Sequence, residues 1–461
     1  MYGEARSRLI PDLTAGSAVI AAAAGTAALL GAVAVHSPKY AVLALLAAAF
    51  VAVAMSRLAL AVAAFVVLTF PDHLPGSFGA GATLAKPVGA LLVLAWAAIV
   101  LTRRTKAPLL PQSQPLLFSA IVGVLLFASV SILWAADSGQ TRTGVERIAL
   151  NAALLVVVYT AASTRSGFRT IVNGFLLGSV ITSFYSIAFG NYAAGRLSAL
   201  FDPNYFAAEL IPAILIACFL FVTAGSPRTR WLFAAVVVVD LAAFVLTQSR
   251  GGIVGLAVGL VVALVVAGRA RPRMVALVLV LVACGLGYYL AYKPAHVFQS
   301  SSSAGGVASG RLGEWQVALR VWDGHPIGGV GLGNYQVVEP SYALQTLNLP
   351  LVHQIVNERL VVHNTYLQIA AELGFVGLCL FLTILVVPLR VAGRALGRLE
   401  SALHELEFHV RGLLAGTIGL LTAYAFISAE FEKPLWLLLG LLASVPVLLR
   451  DGTTEREPLG G

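Results

Sequence analysis

Apolar runs of about twenty residues recur along this chain, and a chain so built cannot fold as a water-soluble globule. A helix needs about 20 predominantly apolar residues to cross the hydrocarbon core of a bilayer. Inside that core every backbone polar group must find its partner within the protein. Candidate spans fall at 16–35, 40–56, 57–70, 86–102, 116–134, 147–162, 168–190, 205–224, 230–247, 252–268, 273–292, 364–389, 412–428 and 434–449. The bulk composition agrees, with 59% hydrophobic and 11% charged residues, where a soluble domain carries about 25% charged. The expected fold is therefore all-α: a polytopic transmembrane helical bundle of about 12–14 spans.

Basic residues orient the array. With the N-terminus cytoplasmic, the inner side holds Arg6, Arg8, Arg57, Arg103, Arg104, Lys106, Arg165, Arg169, Arg228, Arg230, Arg269, Arg271, Arg273, Arg390, Arg394, Arg398, Arg411, Arg450 and Arg456. This positive-inside bias predicts that both termini are cytoplasmic. The net charge of +9 then reads as orientation charge and calls for no nucleic acid. Cys218, Cys284 and Cys379 all lie within apolar spans, so no disulfide framework is expected. The charged start (Glu4, Arg6, Arg8) lacks a clear cleavage site after its apolar run, so the first helix is expected to stay.

The one break in composition divides the chain. Residues 1–292 form the N-terminal transmembrane helices, 293–362 a large extracytoplasmic loop, 363–449 the C-terminal transmembrane helices, and 450–461 a polar cytoplasmic tail, expected to be disordered. The loop starts with a serine-rich stretch, 300–309. Residues 311–323 then read as an amphipathic helix lying on the membrane, with Trp315, Leu319 and Trp322 on one face. Gly328, Gly329, Gly331 and Gly333 predict a tight turn, and a second helix is expected at 352–362.

Polar residues that could carry chemistry cluster on the outer side. Arg250, in Thr247-Gln248-Ser249-Arg250-Gly251-Gly252, is expected at a helix N-terminus, where backbone N–H groups favour anions. Gly251 and Gly252 would let an anion approach the backbone. The plain alternative is an arginine snorkelling to headgroups. Arg311 opens the loop helix, and Arg196 lies on another outer loop before an entering helix; each has a solvated charge as its plain alternative. His363 introduces the span after the loop, and Asn364, Gln368 and Glu372 recur every four residues behind it, so they share one helix face. Such a face must meet protein or water. A neutral imidazole there could accept a proton at ordinary pH.

Other signals are weak. The outer acids Glu314, Asp323, Glu339 and Glu358 are scattered, with no Asp-x-Asp pair in an outer loop, and Asp72-His73 lacks paired metal ligands. No metal and no cofactor are therefore expected. Asp240, in mid-span, reads as a locally hydrogen-bonded structural acid, with a proton relay as the alternative.

The order of the Arg196 loop, Thr247-Gln248-Ser249-Arg250-Gly251, Gly310-Arg311 with Trp315, the 328–335 glycine segment and His363-Asn364 resembles the O-antigen ligase and polymerase superfamily of bacterial envelope glycosyltransferases. The resemblance covers about residues 195–390. The ligase pattern, His followed by Asn, Ser or Asp, then nine residues, Gly, two residues and Gly, Thr or Val, is met at His363, Asn364, Gly374 and Gly377. The arginine-to-glycine spacing of some polymerases is not met, since Gly328 follows Arg311 at +17.

The resemblance implies metal-independent, inverting transfer of a glycan from an undecaprenyl-diphosphate carrier to a hydroxyl on a glycolipid or saccharide acceptor, at the outer face of the bacterial cytoplasmic membrane. It implies His363 as the base and Arg250 and Arg311, with Arg196 as a third candidate, on the diphosphate. Asn364, Gln368, Gly374 and Gly377 would support them, which makes 293–362 a catalytic loop. The alternatives are a repeat-unit polymerase, a protein O-oligosaccharyltransferase and, from another class, a lipid-linked glycan flippase or exporter. Against a transporter, Asp240 is the one good midplane ionisable group, and the polar residues gather on one side.

Overall fold

A computed structural model describes residues 38–70, 85–102, 108–190, 192–193, 196–197, 202–292, 307–345, 357, 360–402 and 404–454. The span expected at 16–35, the pair Asp72 and His73, Glu358, residues 300–306 of the serine-rich stretch and most of the helix expected at 352–362 lie outside the described residues. The protein is an all-α polytopic bundle. Seven helices are long and apolar enough to cross a membrane, and five shorter apolar helices accompany them among the described residues.

In chain order the helices are α1 (Pro38–Ser56), α2 (Leu58–Thr69), α3 (Ala85–Leu101), the single turn α4 (Leu110–Ser113), α5 (Pro115–Val130), α6 (Ser138–Ala161) and α7 (Arg165–Phe189). A two-residue antiparallel hairpin follows, β1 (Tyr192–Ala193) and β2 (Arg196–Leu197), with Ala193 opposite Arg196. Then come α8 (Pro203–Thr223), α9 (Pro227–Thr247), α10 (Arg250–Val266), α11 (Arg271–Tyr292), α12 (Val307–Gly324), α13 (Tyr335–Leu344), α14 (Thr365–Ala402), α15 (His404–Ala423) and α16 (Lys433–Thr454).

The centre is α8, almost wholly buried and packed by α15, α9 and α10. Small residues allow that packing. A Cβ on Gly416 of α15 would lie 2.6 Å from Pro212 Cα, and one on Gly255 of α10 would lie 2.7 Å from the Gly419 carbonyl oxygen. Close backbone approach of this kind is how helices gain dispersion contacts where no water is left to expel. Asp240 on α9 accepts hydrogen bonds from Ser179 Oγ and Ser183 Oγ of α7, both at 2.8 Å. It is the locally bonded acid that its sequence context suggested.

The loop segment folds onto one end of the bundle as a second, smaller core. Val317, Ala318 and Val321 of α12 pack with Val330, Tyr335, Ala343, Val362 and Ala371. This changes the expected amphipathic face: the buried stripe is Glu314, Val317, Ala318 and Val321, while Leu319 is exposed. Trp315 is only partly buried and packs against the edge of this core. The second loop helix is α13, at 335–344, earlier than expected; residues 360–364 just before α14 are non-helical. At the other end of the sequence, α16 continues through 450–454, where the tail was expected to begin.

The long helix α14 breaks at Gly374, whose φ of 63° and ψ of −163° are non-helical. The glycine turn fills the break. Val330 N donates to the Ala371 carbonyl (3.0 Å) and Gly331 N to the Glu372 carbonyl (2.8 Å), while Phe375 N donates to the Pro326 carbonyl (2.8 Å). Gly333 N reaches Glu372 Oε2 at 2.7 Å. A helix interrupted in apolar surroundings needs such partners for its freed backbone groups. The turn has φ of 65°, 98° and 75° at Gly329, Gly331 and Gly333, values a side chain would oppose. Its far side is held by α6 and the connection that precedes it, where Asn334 Nδ2 donates to Thr141 Oγ1 (2.8 Å) and Trp134 Nε1 to the Gly329 carbonyl (3.1 Å).

Candidate active site

Four segments bring their polar residues to the same end of the bundle. The β-hairpin supplies Arg196, the start of α10 supplies Arg250, α12 supplies Arg311, and the turn before α14 supplies His363. The Arg196 guanidinium is within electrostatic reach of Asp202, Arg311 and Arg250. Arg311 likewise feels Glu314, Asp202 and Arg250, and His363 feels Arg311 and Asp202. Residues more than 160 positions apart in the chain thus share one electrostatic environment.

Asn364 organises the start of α14. Its Oδ1 accepts from Tyr366 N (3.0 Å) and Leu367 N (3.1 Å), which makes it the helix N-cap. His363, one residue earlier, takes φ of 52°, a left-handed conformation that costs a non-glycine residue about 1 kcal/mol or more. Its neighbours hold it there. Val362 N donates to Gln368 Oε1 (3.3 Å), Ser428 Oγ donates to the same oxygen (2.7 Å), and Gln368 Nε2 donates to Glu372 Oε1 (3.0 Å). The expected polar stripe is therefore a brace running from the histidine to the helix break at Gly374. Gly377 belongs to the same break, because a Cβ there would overlap Leu373 Cβ at 2.1 Å.

Arg250 is the first residue of α10, as expected. Ser249 caps that helix by accepting from Gly252 N (3.1 Å). The two glycines after it serve a different purpose from the one expected. Both are buried; a Cβ on Gly251 would lie 2.8 Å from Phe426 Cβ, and one on Gly252 would lie 2.8 Å from Ala207 Cβ. They make room for Phe426 and Ala207.

Arg196 is braced by protein. Its Nε donates to the Thr247 carbonyl (2.9 Å) and its Nη2 to Asn204 Oδ1 (3.0 Å), the oxygen that also accepts from Ser249 Oγ (3.0 Å). Asn204 and Ser249 thus link the starts of α8 and α10, and Asp202 caps α8 by accepting from Asn204 N (2.8 Å). None of Asn204, Ser249 and Asp202 stood out in the sequence. The signal available was the N-cap chemistry of Asp202-Pro203 and Ser249-Arg250.

Burial lowers the pKa of the Arg196 and Arg311 guanidiniums from the ordinary arginine value; the nearby guanidiniums lower it further, while the acids oppose this. Burial, then Arg311, also holds the His363 imidazole below its ordinary 6.5, with Asp202 opposing. The ring is therefore neutral at pH 7 and able to accept a proton. Of the loop acids, Glu314 and Glu339 are buried in the loop core and Asp323 is exposed. Burial pushes the Glu314 carboxyl up to about 7, against the pull of Arg311. Among the described residues, no group of three or more His, Cys, Asp and Glu side chains is placed to hold a metal ion.

Residues 235–382 match the family described as O-antigen ligase. That segment holds Arg250, Arg311, His363, Asn364, Gly374 and Gly377, and it leaves Arg196 outside. The chain is also 24% identical over 342 residues to the exopolysaccharide production protein ExoQ of Rhizobium meliloti (strain 1021), a match covering 68% of this chain and 73% of the relative. Together these matches support the O-antigen ligase-like superfamily and, with the apolar helices, a multi-pass membrane protein that processes glycans.

Proposed function

We propose that the protein is an inverting membrane glycosyltransferase that moves a glycan from undecaprenyl diphosphate to a hydroxyl acceptor at the outer face of the bacterial cytoplasmic membrane. The observation that carries this reading is the convergence of Arg250, Arg311 and Arg196 on the side of the bundle where His363 opens α14. Several guanidiniums partly withdrawn from water repel one another, and a diphosphate would relieve that repulsion through charge-assisted hydrogen bonds. A lipid carrier also reaches such a site from within the bilayer.

In this reaction the acceptor oxygen bonds to the anomeric carbon as the bond from that carbon to the phosphate oxygen breaks. The electron pair leaves with undecaprenyl diphosphate, whose growing charge Arg250 and Arg311 stabilise. The acceptor proton passes to His363. Arg196, already engaged by Thr247 and Asn204, contributes a third positive charge and fixes the loops around it. A second reading, repeat-unit polymerisation, is favoured by the relative's exopolysaccharide name. It keeps the same machinery and makes the acceptor another glycan, so the two differ in product length.

The test uses purified protein in proteoliposomes with an undecaprenyl-diphosphate-linked glycan. The wild type is expected to consume this donor and no nucleotide sugar, and to keep its activity in EDTA. Loss of activity on chelation, restored by magnesium or manganese, would overturn the metal-independent mechanism. Arg250→Lys and Arg311→Lys are each expected to lose about tenfold or more in kcat, because lysine keeps the charge but not the planar fork. Full activity in both would return these arginines to a headgroup-contacting role.

A further inference from the structure

The Glu314 carboxyl stands beside His363 and plays no part in the reaction described so far. Its Oε2 lies 3.9 Å from His363 Nε2. The residue is 4% exposed, and that oxygen is buried without a hydrogen-bond partner. A buried carboxylate oxygen left unsatisfied is costly, so the imidazole nitrogen beside it acquires significance. Both groups are held from behind: α12 by the hydrogen bond from Tyr335 Oη to the Glu314 carbonyl (3.3 Å), and His363 by the Val362–Gln368 bond.

We propose that Glu314 is a positioning residue for His363: its carboxylate, 3.9 Å from Nε2, favours by its charge the ring tautomer with the hydrogen on Nε2, so that Nδ1 presents its lone pair to the acceptor hydroxyl. The inference rests on His363 being the base. The acceptor proton passes to Nδ1, the ring becomes imidazolium, and the Glu314 carboxylate neutralises it until the proton returns to water. This need is specific to the site, because a protonated ring here would otherwise face Arg311 with only Asp202 to offset it. The charged and titratable groups around the pair are Arg311 on α12, Asp202 at the cap of α8 and Glu339 on α13, with Arg250 and Arg196 acting on Arg311.

The decisive measurement is the tautomer of His363 in the full-length wild-type protein, read by 15N NMR in nanodiscs and assigned by the signal missing in His363→Ala. The proposal requires the neutral ring to carry its hydrogen on Nε2; an Nδ1–H tautomer overturns it. In Glu314→Gln, which keeps the shape but not the charge, the ring is expected to lose its preference for Nε2–H above pH 7, where Glu314 is ionised in the wild type. An unchanged tautomer in the folded variant also overturns it. With the undecaprenyl-diphosphate-linked glycan as probe, Glu314→Gln should lose about 10- to 100-fold in kcat at unchanged donor KM. Its acidic limb should move from near pH 7, where Glu314 titrates, to below 6.5. Glu314→Asp, which keeps a carboxylate, should recover part of the rate. If no variant or wild type turns over this donor while the tautomers behave as stated, the proposed reaction fails and the pairing stands. Turnover by a wild type carrying the other tautomer has the opposite meaning.

Discussion

His363→Ala is expected to cut glycan transfer by about 100- to 10,000-fold, the usual cost of removing a general base, while the protein remains folded and monodisperse. The ring lies outside the helix it precedes and its side chain is 33% exposed, so its loss leaves a space open to solvent. Asn364 still caps α14 through Tyr366 N and Leu367 N. Alanine also tolerates φ of 52° no better than histidine, so that backbone strain stays similar. Initial rates with the lipid-linked donor, alongside size-exclusion profiles and thermal unfolding in detergent, separate chemistry from folding. Wild-type turnover by a well-folded His363→Ala protein would sink the assignment of the base.

The second large effect is expected at Gly374. Gly374→Ala places a Cβ 2.2 Å from the Ile327 carbonyl oxygen, on a residue whose φ of 63° and ψ of −163° fall where essentially only glycine is found. Conformational strain alone costs about 1–3 kcal/mol, and the clash must also push the glycine turn off the helix. The bonds from Val330, Gly331 and Phe375 would be lost together. We expect a clear drop in thermal stability and a loss of transfer of at least tenfold, even though Gly374 lies about 15 Å along the helix from the residue that caps it. Gly393→Ala on the same helix, where a Cβ meets nothing within 4 Å, should leave both measurements unchanged. Equal behaviour of the two variants would show that the helix break is unimportant.

How much of this was legible beforehand depends on whether the determining contacts are local. Apolar length exposes the spanning helices, and N-terminal helix chemistry exposes the positions of Arg250 and Asn364, because both are set within a few residues. The buried face of α12 departs from the expected one: Leu319 is exposed, while Val317, Ala318 and Val321 pack with Val330, Tyr335, Ala343, Val362 and Ala371, partners outside the helix that its own periodicity does not announce. The helix at 335–344 escaped notice because Pro340 lies inside it and a glycine-rich segment precedes it. The joint role of Asn204 and Ser249 in bracing Arg196 spans up to 51 residues, and no local pattern announces it. The two glycines after Arg250 suited an anion site on paper, and the neighbouring Phe426 and Ala207 occupy that space instead.

The break in α14 also settles what is fastened to what. The first turns of this helix, from Thr365 to Leu373, are cut from the rest at Gly374 and stitched to the glycine turn by hydrogen bonds through Ala371, Glu372 and Gly333. The same turns are fastened to the bundle, because Thr365 Oγ1 and Tyr366 Oη donate to the Ile427 and Leu421 carbonyls and Ser428 Oγ donates to Gln368 Oε1. His363 thus stands where two separately anchored groups of arginines meet: Arg311 on the loop core, and Arg250 and Arg196 at the junction of α9 and α10. The short opening stretch of α14 is the rivet between them, and it keeps the imidazole in register with both.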